Sequence, residues 1–216
     1  MSDTIEYEIY GQKHVEGVYD LLQNSFRLEE PLNVCLEKSA EDSEKFYRGI
    51  TQACSKEPYS FVAIHKPTEK VIGCRLCTAI CRNDDDYKPP NSATVSTKVG
   101  IIHHLLKVLQ GNLFNDIPEA NKVLKFDIVS VDKHFQRQGI AKKLIDLTIE
   151  NAIKRGFDHV TVTATSFKTQ ALFHKKLEFK TIRTIDIASF DVNGTKPFHN
   201  IPKNNAVAAF MVKQIS

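Results

Sequence analysis

An α/β fold built on a mixed sheet is what this sequence predicts, and two observations carry that reading. From residue 123 onward the pattern runs β-α-β-α-β-β, an order that needs at least one parallel crossover. Its strongest element, residues 139–155, sets Ile140, Leu144, Ile145, Leu147, Ala152 and Ile153 at helical spacing between two β-rich runs, 123–131 and 159–164. No linker, repeat or shift of composition divides the 216 residues, so a single domain over 1–216 is expected.

The remaining elements follow in chain order. Ile5, Tyr7 and Ile9 alternate as a first strand, and residues 14–26 carry Val15, Val18, Leu21, Leu22 and Phe26 on a helical face. The segment Glu29-Glu30-Pro31-Leu32-Asn33 breaks that helix, because proline keeps the residue before it out of the helical region. A second helix is expected over 40–54, strands over 59–65 and 71–81, and a helix over 101–109. Residues 82–99, with Asp84-Asp85-Asp86 and Pro89-Pro90, lack any pattern and read as a long loop of the kind that serves as a lid. After Gly156, which stops the 139–155 helix, come a strand at 159–164, a short helix at 171–177 and strands at 179–189 and 206–214.

Composition narrows the partners. Lys and Arg (29) against Asp and Glu (26) leave a net charge of +3, too little to point to nucleic acid or a membrane surface. The first residues lack the apolar core of a signal peptide and no run approaches a membrane span, so a cytoplasmic location is expected. Five cysteines, an odd number, read as free thiols. Cys74 and Cys77 lie three apart in a strand and face opposite sides, which argues against a metal pair; no His/Asp/Glu cluster has metal spacing either. No metal is expected.

The chemistry-bearing motif lies at 136–141. Gln136-Arg137-Gln138-Gly139-Ile140-Ala141 opens a helix directly after a strand and a short polar link. The first amides of a helix have no internal partner and sit at the positive end of its dipole, which makes an anion site. Gly139 removes the Cβ that would keep a phosphate from the backbone. The turn lacks the three glycines of a dinucleotide fold and the P-loop pattern. By itself it fits an anion site or an ordinary strand-to-helix turn equally well.

Gln136-x-x-Gly139-x-Ala141 after Val129-Ser130-Val131-Asp132 resembles the (Gln/Arg)-x-x-Gly-x-(Gly/Ala) signature of the GNAT N-acetyltransferase superfamily. More narrowly, four features resemble the insect dopamine, or arylalkylamine, N-acetyltransferase group. They are Phe26 with Glu29-Glu30-Pro31-Leu32-Asn33, Ser130-Val131-Asp132, Gly139-Ile140-Ala141, and Lys176-Leu177-x-Phe179. The resemblance implies a central sheet splayed in its middle, with acetyl-CoA as co-substrate. Its pantetheine arm would lie along Ile128, Val129, Ser130 and Val131, beside the Gln136 side of the turn. Its pyrophosphate would meet the amides of Arg137, Gln138, Gly139, Ile140, Ala141 and Lys142.

Acetyl transfer to an amine needs a base, since an alkylammonium is protonated at neutral pH. By the resemblance Glu30 matches the family's catalytic glutamate. It stands beside Pro31, with Glu29 as its neighbour and competitor and Asp127, on the cofactor strand, as the runner-up. Ser166 matches the first of two serines that serve the leaving thiolate; Gln170 stands in place of the second, and Thr165 or Thr169 are substitutes. His174 occupies the position of a tyrosine acid found in many members, although a lone histidine on a short helix is more often a surface or core residue. Glu178 departs from the family's glycine. The expected acceptor is a small arylalkylamine of the dopamine, tyramine, octopamine, serotonin or tryptamine kind. Polyamines, protein amines and a non-catalytic acyl-CoA binder are the alternatives, and the expected state is a monomer or weak dimer.

Overall fold

The computed structural model describes residues 4–82 and 97–216. Most of the unpatterned 82–99 segment, including Asp84-Asp85-Asp86, lies outside the described residues. Seven strands form one sheet: β1 (Ile5–Ile9), β2 (Phe61–His65), β3 (Lys70–Cys81), β4 (Lys122–Val131), β5 (His159–Ala164), β6 (Lys180–Asp186) and β7 (Val207–Gln214). Their order is β1-β2-β3-β4-β5-β7-β6. Every neighbouring pair is antiparallel except β4 and β5, the crossover that the sequence pattern required.

That crossover is α7 (Ile140–Lys154), which buries Ile140, Leu144, Ile145, Thr148 and Ala152. Gly156, at φ 72°, ends it in the left-handed conformation that only glycine adopts freely. On the opposite side α5 (Lys98–Gln110) buries Leu105 and Leu109 in a cluster with Phe198, Phe210 and Val212. Cys74 and Cys77 fall in different core clusters, as expected of strand residues three apart.

The helix expected at 14–26 runs further. It passes from α1 (Val15–Leu21) through a π-turn at Leu22–Phe26 into α2 (Arg27–Glu29). Pro31 does not open a loop; it is the first residue of α3 (Pro31–Cys35). Glu30, held at φ −71°, ψ 125° by the proline behind it, is both the stop of one helix and the N-cap of the next. The sequence shows the break but not the restart, because α3 is a single turn. The remaining helices are α4 (Ala40–Cys54), α6 (Leu113–Asp116) and α8 (Phe167–Ala171), the last continuing as a π-turn over Leu172–Lys176.

Two irregularities shape the middle of the sheet. Parallel pairing of β4 with β5 covers only Val123–Phe126 and His159–Val162. Beyond Phe126 the strands part, and the β4 edge facing β5 has no strand partner among the described residues. At the same level the β3–β4 register slips: Leu76 opposes Ile128 and Cys77 opposes Phe126, which leaves Asp127 as the extra residue of a bulge.

Candidate active site

A cleft of about 1220 Å³ opens where β4 and β5 part. Ile128, Val129, Ser130 and Val131 line one wall, and the turn before α7 closes one end with Gln136, Arg137, Gly139, Ile140, Ala141 and Lys142. Gln138 lies outside the lining and is exposed. Arg137 (φ 63°) and Gly139 (φ 82°) both take left-handed backbone, which turns the chain sharply into the helix. A Cβ at Gly139 would meet nothing within 4 Å, so its approach is open. The first backbone hydrogen bond of the helix is Lys143 N–H to the Gly139 carbonyl at 3.0 Å; among the described residues the amides from Arg137 to Lys142 have no acceptor. Free amides at a helix N-terminus can hold a diphosphate, and an unpaired strand edge can hydrogen-bond an extended amide-bearing arm. The residues present therefore fit an acyl-CoA.

Gln136 ties this turn to the opposite wall. Its amide donates to the Val131 carbonyl at 3.1 Å and to Glu29 Oε2 at 2.7 Å. Glu29 is thereby oriented to the turn, while its neighbour Glu30 points into the protein. Glu30 Oε2 accepts the Asn33 amide at 2.7 Å, as an N-cap does, and Oε1 accepts the Thr165 hydroxyl at 2.8 Å. Burial pushes the Glu30 carboxyl above the usual glutamate range, opposed by those two hydrogen bonds and by the charge of Lys38. A raised carboxyl titrates closer to neutrality, which suits a general base.

Beside Glu30 the cleft is aromatic, with Phe26, Phe46 and Tyr47 in its lining. Asn33 donates to the Tyr47 hydroxyl at 3.3 Å, and burial raises that phenol. Lys38, only 5% exposed, sets its ammonium 4.8 Å from the centre of the Tyr47 ring and 5.7 Å from that of Phe46.

The other predicted residues divide. Asp127 lines the cleft at the bulge, but its oxygens are taken by Thr78 Oγ1 at 2.7 Å and Lys125 Nζ at 2.8 Å. Ser166 is the N-cap of α8, lines the cleft, and makes no side-chain cap. Gln170 spends its amide on the carbonyls of Ala164 (3.1 Å) and Val207 (2.7 Å), bridging β5 and β7. His174 is exposed, lies outside the cleft lining, and has its Nδ1 3.3 Å from the Phe179 carbonyl oxygen.

Sequence reasoning did not single out Lys38 or Arg75. Arg75, on β3, is 1% exposed; its guanidinium stacks 3.8 Å from the centre of the Phe126 ring, with Nε and one Nη unpaired among the described residues. Burial lowers its pKa, against the nearby Cys77 and Asp127. The only available signal was a cation inside an apolar strand, VIGCRLC. Thr165 was weighed as a serine substitute rather than as a partner of Glu30, since contacts across 135 positions leave no trace in one sequence.

A parting between two parallel strands beside an amide-lined helix start is the arrangement of a protein that can hold an acyl-CoA. The chain belongs to the acetyltransferase (GNAT) family, whose model matches residues 15–179. Members of that family use acetyl-CoA as co-substrate, and the chain is an acetyl-CoA-dependent N-acetyltransferase. Among solved structures it is similar to arylalkylamine N-acetyltransferase 2 from Aedes aegypti, with 26% identity, 98% of this chain and 99% of that one covered, and a TM-score of 0.85. It is also similar to mosquito arylalkylamine N-acetyltransferase like 5b (22% identity, 97% and 99% covered, TM-score 0.81). The Drosophila melanogaster polyamine N-acetyltransferase, which forms N-acetylagmatine, shares the fold at 17% identity, 97% and 99% coverage and a TM-score of 0.80. No curated protein matches by sequence.

Proposed function

We propose that this chain, working as one domain and as a monomer or weak dimer in the cytoplasm, transfers the acetyl group of acetyl-CoA to the primary amine of a small arylalkylamine. The observation that carries the reading is Glu30, a carboxylate fixed at a helix N-cap inside the cleft, with its second oxygen held by Thr165. Acetyl-CoA supplies the acetyl thioester. In this reading the amides from Arg137 to Lys142 hold its pyrophosphate, and the free edge of Ile128–Val131 orients its pantetheine arm. Glu30 removes a proton from the alkylammonium, and the neutral amine attacks the thioester carbonyl. The C–S bond breaks, and the second proton shed by the nitrogen as the amide forms balances the one taken up by the departing thiolate. In this reading Ser166, which lines the cleft and whose side chain caps nothing, gives that thiolate its proton and takes the one the nitrogen sheds. Asp127, engaged by Thr78 and Lys125, acts as part of the bulge rather than as the base. The exposed His174 takes no part.

Support for an aromatic acceptor comes from the Phe26, Phe46 and Tyr47 lining and from the fold neighbours that act on arylalkylamines. The test is thiol release from acetyl-CoA with tryptamine, tyramine and dopamine against spermidine, agmatine and peptides. Turnover confined to the arylalkylamines is expected; turnover confined to peptides or polyamines would reject the acceptor class.

A further inference from the structure

We propose that Lys38 is a specificity-determining residue that makes the acceptor end of the cleft a charge filter, admitting monoamines and rejecting acceptors that carry a second positive charge. This inference rests on the reading of the Glu30 end as the acceptor site.

Three observations support it. First, Lys38 is only 5% exposed yet lines the cleft, and among the described residues no carboxylate lies within ion-pair distance of its ammonium and no acceptor hydrogen-bonds it. A buried lysine is costly unless something compensates it; here the compensation is the faces of Tyr47 and Phe46 and a distant attraction to Glu30. Secondly, the cleft lining holds only three acidic residues among the described ones, and each is occupied. Glu30 is held by Asn33 and Thr165, Glu29 by Gln136, and Asp127 by Thr78 and Lys125. Among the described residues a second cation on the acceptor would find no free carboxylate there. Thirdly, a like charge in a half-enclosed apolar site is felt far more strongly than in water. The same field that disfavours a second ammonium also lowers the pKa of the reacting one, which eases the deprotonation that Glu30 must carry out.

The charge on Lys38 also works on the lysine itself. Burial brings its pKa down to about 8, held up by Glu30 and Asp42 and lowered further by Arg27, so the ammonium form is present at neutral pH. A cation held on aromatic rings at neutral pH favours an acceptor with an apolar or anionic far end.

The test compares three phenethylamines that differ only at the para position: methyl, carboxylate and trimethylammonium. The quaternary group cannot itself be acetylated. Thiol release gives kcat/KM for each with wild type, Lys38→Met and Lys38→Arg. Wild type is expected to prefer the methyl compound to the trimethylammonium one by at least about tenfold. Lys38→Met is expected to abolish that preference and to lower the carboxylate compound relative to methyl, while Lys38→Arg keeps the wild-type order. A common factor for all three compounds in Lys38→Met would mean that Lys38 only supports packing, and would overturn the proposal. Equal use of the methyl and trimethylammonium compounds by wild type would overturn it even if Lys38→Met does not fold. Absence of wild-type turnover with all three and with tryptamine would instead remove the acceptor reading underneath, and the filter with it.

Discussion

Thr165 donates its hydroxyl to Glu30 Oε1 at 2.8 Å, although 135 positions separate the two residues. The bond joins the end of β5 to the corner between α2 and α3, across the mouth of the parted strands. Glu30 is thus fixed from both sides, by its own helix through Asn33 and by the sheet through Thr165. A carboxylate held in this way would need little reorganisation to serve as the proposed base when an amine arrives.

The bond also sets a pH dependence. A hydroxyl donating to a carboxylate favours the charged form and so lowers the carboxyl pKa, against the burial that raises it. Removing it in Thr165→Val therefore raises the Glu30 pKa further. Because the base must be deprotonated to act, the acid limb of the kcat/KM profile should move to higher pH, with activity recovering toward wild type on the alkaline side. A limb that stays in place, or moves down, would show that another group titrates in that limb.

Glu29 and Glu30 are adjacent and chemically alike, yet they face different partners. Glu29 is exposed and bonded to Gln136. Glu29→Gln should lower kcat/KM by less than about tenfold, its effect appearing in the KM for acetyl-CoA, because an exposed polar contact contributes only about 0.5–1.5 kcal/mol. A loss in kcat as deep as that of a Glu30 variant would exchange the two roles.

Gly139 tests the cofactor end. Space for a side chain exists there, so a substitution acts through the left-handed backbone and through charge. Gly139→Glu sets a carboxylate at the free amides and should abolish the heat of acetyl-CoA binding in a calorimetric titration, while Gly139→Ala retains measurable but weaker binding. Normal binding by Gly139→Glu would move the pyrophosphate elsewhere.

What the sequence made legible was local or periodic. The helical spacing of Ile140, Leu144 and Ile145, the β-rich runs beside it and the glycine at 139 led directly to the crossover and its turn. The family resemblance then supplied the splay. Elements of a single turn were missed, as with α3, where Pro31 signals a helix start as readily as a break. The π-turns at Leu22–Phe26 and Leu172–Lys176 left no mark, because a widened turn changes backbone hydrogen bonds without changing side-chain chemistry. Gln170 and Lys38 were illegible for a third reason: their roles depend on carbonyls and rings brought together from distant segments. Gln170, which broke the two-serine pattern, proves to be bridging two strands.

The most direct test of the whole account is Glu30→Gln. The amide keeps an oxygen to accept from Asn33, so the N-cap and the fold are retained, but it cannot take a proton from the amine. With tryptamine and acetyl-CoA, kcat/KM should fall by about 10²–10⁴ while the calorimetric affinity for acetyl-CoA is unchanged. Wild-type turnover by Glu30→Gln would contradict Glu30 as the base.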